Sequence, residues 1–264
     1  MVIYGWSDLG RRHQTNDDSV FPAGAWPAPH EAAVDDAEQS GYLLAVADGV
    51  TTAALGAHAS QQVVETLVQS YYYPSGEVES VGVRLLAAAL AANRAAWALT
   101  TAEENDDLAA TTLVAAVLTD GVAQVLHAGD SRAYLVTPEQ VVALTSDHSV
   151  VQELIDAGEI DPVDAPNHPE SGALTRALGV DSHVRFDLSA PVLLQPGDSL
   201  VLCSDGLSTL VQDDEIGQVV RSAAPGKAVH KLIDLANRRG GYDNISVVVA
   251  GPGDSQSWWR RWRR

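Results

Sequence analysis

One cysteine in 264 residues excludes an internal disulfide framework and a zinc site built on paired cysteines. That residue, Cys203, lies inside the apolar run SLVLCS, where a buried, unreactive thiol is expected. Positive charge is scarce as well. Sixteen Lys and Arg face 35 Asp and Glu, a formal net charge of -19. Such a surface repels a nucleic-acid backbone instead of releasing its counterions, so no nucleic-acid partner is expected. Bound divalent cations would relieve part of the excess. Long uncharged apolar runs are missing too. The most apolar stretch, VGVRLLAAALAANRAAWALTTA at 81–102, contains Arg84, Asn93 and Arg94, and reads as a packed helix, not a membrane span. The N-terminal MVIYGWSDLGRRHQ lacks the basic-then-apolar pattern of a secretory signal, and a cytoplasmic location is the expectation.

What is present is ordinary globular material, 46% hydrophobic and 19% charged, long enough for one large domain with a sizeable core. Short β-type runs end in turn residues: VIYGWS at 2–7, YLLAVA at 42–47, TTLVAAVL at 111–118 and VAQVLHA at 122–128, then AYLV, SLVLCS and ISVVVA. Asp120-Gly121 between two of them is a hairpin signal. Helical spacing appears at 53–73 and 81–102, around a Pro-Ser-Gly break, again at 150–160, and in a late pair, DDEIGQVVRSAA and KAVHKLIDLANRR. This order predicts an antiparallel two-layer β core with helices outside. Residues 21–40 and 159–173 read as surface loops. The tail at 252–264 ends with three Trp and four Arg, a pattern that suits either a partner or membrane-surface contact or a frayed terminus.

The chemistry sits at Asp48, Asp130, Asp205 and Asp243, each beside an apolar strand-like run in ADG, HAGDSR, SDG and GGYDN. Any one of these is an ordinary turn signal on its own. Together they place carboxylates at strand ends. If those ends converge, like charges share one place, which demands raised pKa values or a cation. Neither histidine nor cysteine stands at ligand spacing, so magnesium or manganese is favoured over zinc. Gly49, lacking a side chain, lets its carbonyl approach an ion that Asp48 also binds. Asp17 and Asp18 in TNDDS add an acidic pair, which read alone is a helix or turn cap.

In sequence order, SDLGRRHQTNDDS, LLAVADGV, AATTLVAAVL, VLHAGDSRAYLV, LTSDHSVVQELIDAGEI, HPESGALTRALG, GDSLVLCSDGLSTLVQDDEI and GGYDNISVVV resemble the successive motifs of the bacterial metal-dependent type 2C (PPM) serine/threonine protein phosphatases. The resemblance runs from Ser7 to Val249. It implies an α+β fold, a four-layer α-β-β-α sandwich with two central antiparallel sheets flanked by helix pairs. It also implies a phosphatase domain at 1–251, a flap at about 145–179 beside the active site, and a separate tail at 252–264. Carried over by motif, Asp48 bridges two metal ions, with Asp205 and Asp243 completing the first site. The Gly49 carbonyl and Asp17, directly or through water, serve the second, and Asp130 with Asp205 a third, weaker one. Asp18 is implied to hydrogen-bond metal-bound waters, and Asn244 to orient Asp243 or its turn.

The implied reaction is hydrolysis of phosphoserine and phosphothreonine by direct attack of a metal-bridging hydroxide on phosphorus, opposing Ser/Thr kinases. No Cys-x5-Arg loop is present for a phosphoenzyme route. Expected partners are phosphorylated proteins, with the chain acting as a monomer. Three departures from the family pattern stand out. His13, preceded by Arg11 and Arg12, occupies the position of the usual phosphate-binding arginine, so either His13 or Arg12 is the candidate phosphate contact. NDD replaces NED, shortening one carboxylate arm. Val50 cannot act as a general acid, which leaves water to protonate the leaving oxygen, and Thr51-Thr52 replaces glycines. His148 and His168 fall in the flap, where a structural role competes with contact to the leaving group. The alternative to an enzyme is a catalytically weak pseudophosphatase that binds phosphoproteins. A narrower role on an anti-sigma-factor antagonist would call for a sensory domain, and no segment resembles one.

Overall fold

The computed structural model describes residues 1–26, 40–50, 53–76, 80–102 and 108–252. Thr51-Thr52 and the Trp/Arg-rich tail from residue 253 onward lie outside the described residues. Two antiparallel sheets face each other. The first runs, in spatial order, β3 (Gly24–Trp26), β1 (Val2–Asp8), β12 (Ile245–Gly251), β11 (Ser199–Cys203), β7 (Arg132–Val136) and β8 (Val141–Ala143). The second runs β10 (Val192–Leu193), β6 (Val122–Ala128), β5 (Leu113–Thr119), β4 (Tyr42–Asp48) and β2 (Asp18–Phe21), with β9 (Asp187–Leu188) also paired to β6. Helices α1 (Gly56–Tyr72) and α2 (Val81–Ala102) pack together over the second sheet, and α5 (Asp213–Arg221) and α6 (Pro225–Arg238) over the first. The expected α-β-β-α sandwich is the architecture.

Strand periodicity explains the two core layers. On β11 and β12, Leu200, Leu202, Val248 and Ala250 point between the sheets, while Val201, Cys203, Val247 and Val249 point under α5 and α6. Both faces of these strands are buried, so they read as continuous apolar runs, not alternating ones. Cys203 is fully buried in the second layer, and burial pushes its thiol up to about 12. The Asp120-Gly121 signal forms the expected two-residue hairpin, with Thr119 opposite Val122 and both turn residues at positive φ, 49° and 78°. Helix α3 (Val150–Asp156) follows β8, and the short strands β2, β3, β8, β9 and β10 and a one-turn helix α4 (Asp205–Ser208) carry too few residues for a readable period.

Register then decides which strand ends meet. Asp18 at the start of β2 lies opposite Asp48 at the end of β4, and Leu113 at the start of β5 lies opposite Ala128 at the end of β6. In the first sheet, Cys203 at the end of β11 lies opposite both Val247 near the start of β12 and Arg132 at the start of β7. The connection 129–131 crosses from β6 in one sheet to β7 in the other, and 9–17 crosses from β1 to β2. These crossings gather the acidic turns at one end of the sandwich.

Candidate metal centre

Each carboxylate is placed by the backbone that carries it and by that backbone's contacts with neighbouring segments. Asp48 ends β4, where its N–H donates to Thr112 Oγ1 at 3.1 Å and its carbonyl accepts from Thr112 N at 2.8 Å and Thr111 Oγ1 at 2.8 Å. Gly49 continues that strand end. Its N–H donates to the Asp17 carbonyl at 3.0 Å, and a Cβ there would come within 2.5 Å of both the Asp17 and Gly56 carbonyls, so no other residue fits. Asp205 does not end a strand but opens α4, and a Cβ on Gly206 would collide with the Asn244 carbonyl. The two Asp-Gly pairs therefore place glycine where backbone crowds backbone. Asp243 precedes β12, and its Oδ1 accepts from Asn244 N at 2.7 Å.

The carboxylates of Asp18, Asp48, Asp130, Asp205 and Asp243 are close enough to feel one another's charge. Burial, then the neighbouring charges of Asp18, Asp205 and Asp130, holds Asp48 well above the usual carboxylate range. Burial raises Asp18 to about 7, with Asp205 and Asp243 adding to the rise. Asp130 is raised to about 8 by burial and by Asp205 and Asp147. Asp205 is raised by burial and by Asp243, and its Oδ1 is buried with no hydrogen-bond partner. A buried acceptor left without a donor is costly, and so is a crowd of like charges. Both costs disappear if cations occupy the cluster.

Asp18 sits deeper than its sequence context suggests, 8% exposed, with Oδ2 accepting from Ser204 Oγ at 2.9 Å. Ser204 Oγ in turn accepts from Ser246 N at 3.0 Å. Asp17 is half-buried, and its N–H donates to Asn244 Oδ1 at 2.7 Å. Asn244 Nδ2 donates to the Leu9 and Thr15 carbonyls at 2.9 and 3.1 Å, so its side chain fixes the 9–17 crossing while its backbone holds Asp243. His13 Nε2 lies 3.3 Å from Asp243 Oδ1, at the rim of the cluster. Arg12 is exposed, and its guanidinium carbon lies 5.6 Å from the centre of the Tyr242 ring.

Several positioning side chains carry no motif that sequence reasoning could single out. Thr112 Oγ1 pairs with Ser131 Oγ at 2.7 Å and thereby links Asp48 to the residue after Asp130. The segment that follows β8 is laced to the same region. Arg132 grips Asp147 with two hydrogen bonds, of 2.8 and 2.7 Å. His127 Nε2 donates to the Ser146 carbonyl at 2.9 Å, and its ring stacks on His148 at 4.4 Å. His148 is buried and engaged, and His168 accepts from Glu170 N at 3.2 Å. His127, His148 and Asp187 bring ligand-type atoms within 4.8 Å of one another. The cation there is already supplied by Arg176, whose Nη1 donates to Asp187 Oδ1 at 2.8 Å. We therefore read this second cluster as an ion-paired anchor, not a metal site.

A two-sheet sandwich with buried carboxylates gathered at one end is the arrangement the family resemblance implies. The family model described as protein phosphatase 2C matches residues 29–232, and the chain belongs to that family. It is 35% identical over 245 residues to the serine/threonine protein phosphatase PstP of Mycobacterium tuberculosis, an alignment covering 92% of this chain and 43% of that protein. The chain thus spans less than half the length of this relative. The crystal structure of the Mycobacterium tuberculosis phosphatase PstP superposes with a TM-score of 0.79 at 34% identity, covering 96% of this chain and 100% of the crystallised one. The catalytic domain of PstP in complex with two manganese ions superposes with a TM-score of 0.76 at 32% identity, covering 96% of this chain and 100% of that one.

Proposed function

We propose that this chain hydrolyses phosphoserine and phosphothreonine in proteins, opposing Ser/Thr kinases, with two divalent ions, manganese or magnesium, and a third bound more weakly. The observation that carries this reading is the convergence of Asp18, Asp48, Asp130 and Asp205, with the part-exposed Asp243 at their rim, around an unpartnered Asp205 Oδ1. The donor set fits a hard cation: carboxylate oxygens, the Gly49 carbonyl, and no thiol among them. Asp48, Asp205 and Asp243 would hold the first ion, Asp48 with the Gly49 carbonyl and Asp17 the second, and Asp130 with Asp205 the third. When bound, such ions supply an activated water for direct attack on phosphorus and positive charge against the phosphoryl oxygens.

The remaining roles fall to the chain's own groups. Asp18, held by Ser204, accepts hydrogen bonds from water at the centre and so orients it. His13, at the rim beside Asp243, is positioned to donate an N–H to a phosphoryl oxygen. Arg12, lying over Tyr242, is the second candidate for that contact. Val50 has no proton to give, so water protonates the departing serine or threonine oxygen. Residues 1–251 form the phosphatase domain, 145–179 its flap and 252–264 a separate tail. The chain acts as a monomer on phosphorylated proteins.

The test is phosphate release from a phosphothreonine peptide. Turnover should require added manganese, stop with EDTA, and fall to background in Asp205→Asn. Equal turnover with and without metal would overturn the proposal.

A further inference from the structure

His148 meets Gly129 through two hydrogen bonds that run in opposite directions. Its backbone N–H donates to the Gly129 carbonyl at 3.0 Å, and the Gly129 N–H donates to its Nδ1 at 3.1 Å. Because Nδ1 accepts, the ring proton sits on Nε2, which donates to Asp187 Oδ2 at 3.1 Å. Arg176 Nη1 lies 2.9 Å from that Nε2 and donates to Asp187 Oδ1 at 2.8 Å, so the carboxylate that selects the tautomer is itself held by a cation. His148 is 6% exposed, so its ring has little access to water. Gly129 has φ +113°, and a Cβ there would come within 2.6 Å of the Thr112 side chain, so its peptide plane is set by the turn and the clamp together. The next residue in the chain is Asp130.

We infer that His148 is a positioning residue: its imidazole, fixed by Asp187 and Arg176, clamps Gly129, aims the Asp130 carboxylate into the metal centre and ties the base of the flap to that centre. This rests on the reading of Asp130 as a ligand of the weaker ion. The flap and the third ion are then not independent features. Loss of the clamp releases Asp130 without touching Asp48, Asp205 or Asp243.

Three substitutions in the full chain separate the two ends of the ring. His148→Asn keeps an acceptor near the Nδ1 position, His148→Gln places its amide near Nε2 instead, and His148→Ala removes both. The probe is Mn2+ alone, with bound and free ion measured by electron paramagnetic resonance, together with the Mn2+ dependence of activity. The weakest Mn2+ step should lose affinity by about tenfold or more in His148→Ala and His148→Gln and stay within about threefold in His148→Asn, the tighter binding being unchanged in all three. Wild-type affinity in His148→Ala and His148→Gln, or a loss in His148→Asn as large as theirs, would overturn the inference. If His148→Ala fails to fold, the Asn and Gln pair decides. Asp130→Ala is the control for the underlying reading. If it leaves every Mn2+ step intact, Asp130 is not a ligand and both ideas fall. If it abolishes the weakest step while the His148 variants do not, only the clamp is wrong.

Discussion

Buried carboxylates whose folded pKa lies above the unfolded value give the metal-free protein a pH dependence opposite to that of a surface ion pair. Asp18 and Asp130 move from 3.8 to about 7 and about 8. Between those limits the native state holds more protons than the unfolded chain, so stability falls as pH rises through the folded values. Thermal unfolding in EDTA should give a transition that drops between pH 5 and pH 8. The increment from added manganese should grow over the same interval, and an increment independent of pH would count against the cluster as described. Ser204 gives a second prediction. Ser204→Ala removes the donor to Asp18 Oδ2 together with the acceptor of the Ser246 N–H, and below its unfolding transition should lower kcat by roughly tenfold with little change in KM. A change confined to KM would mean that Asp18 acts on substrate binding instead. Much of this was hidden in the sequence. The four aspartates announced themselves by recurring beside apolar runs, whereas Thr111, Thr112, Ser131, Ser204 and Ser246 are common residue types whose role exists only once distant strands meet.

At the scale of elements, the long helices were legible from their period and the long strands as apolar runs bounded by turn residues. Residues 122–128 and 81–102 have the bounds that the sequence suggested. Strands of two to four residues were not legible, and β2 matters most, since its register places Asp18 opposite Asp48. Asp205 read as a strand end but opens α4, because an Asp-Gly after an apolar run suits a helix start as well as a turn. The β5–β6 hairpin supplies a control remote from the site. Gly121 lies at the end of the sheet opposite to Leu113 and Ala128, with φ 78°. Gly121→Ala should cost about 1 kcal/mol or more, read as a lower unfolding temperature, with kcat unchanged well below the transition. A kcat loss as large as that of Ser204→Ala would show that the two ends of the sandwich are coupled.

For the whole molecule, the net charge of -19 creates a field that every substrate must cross. A phosphothreonine flanked by Arg or Lys should be dephosphorylated with a higher kcat/KM than one flanked by Glu. The difference should be severalfold at low ionic strength and shrink as the Debye length falls to about 10 Å near 0.1 M salt. Equal preference at low salt would mean that local contacts outweigh the field. Among the described residues no helix is long and apolar enough to cross a membrane. The sandwich itself was foreseeable from the order of strands and helix pairs, but the convergence of acidic turns depends on two crossings between sheets that no local pattern encodes. Those crossings turn an excess of negative charge into a candidate metal centre. The most direct measurement is anomalous difference density at the manganese edge from crystals soaked in millimolar Mn2+. Peaks between Asp48, Asp205 and Asp243 and beside the Gly49 carbonyl are predicted, and a cluster without a peak at that concentration would contradict the account.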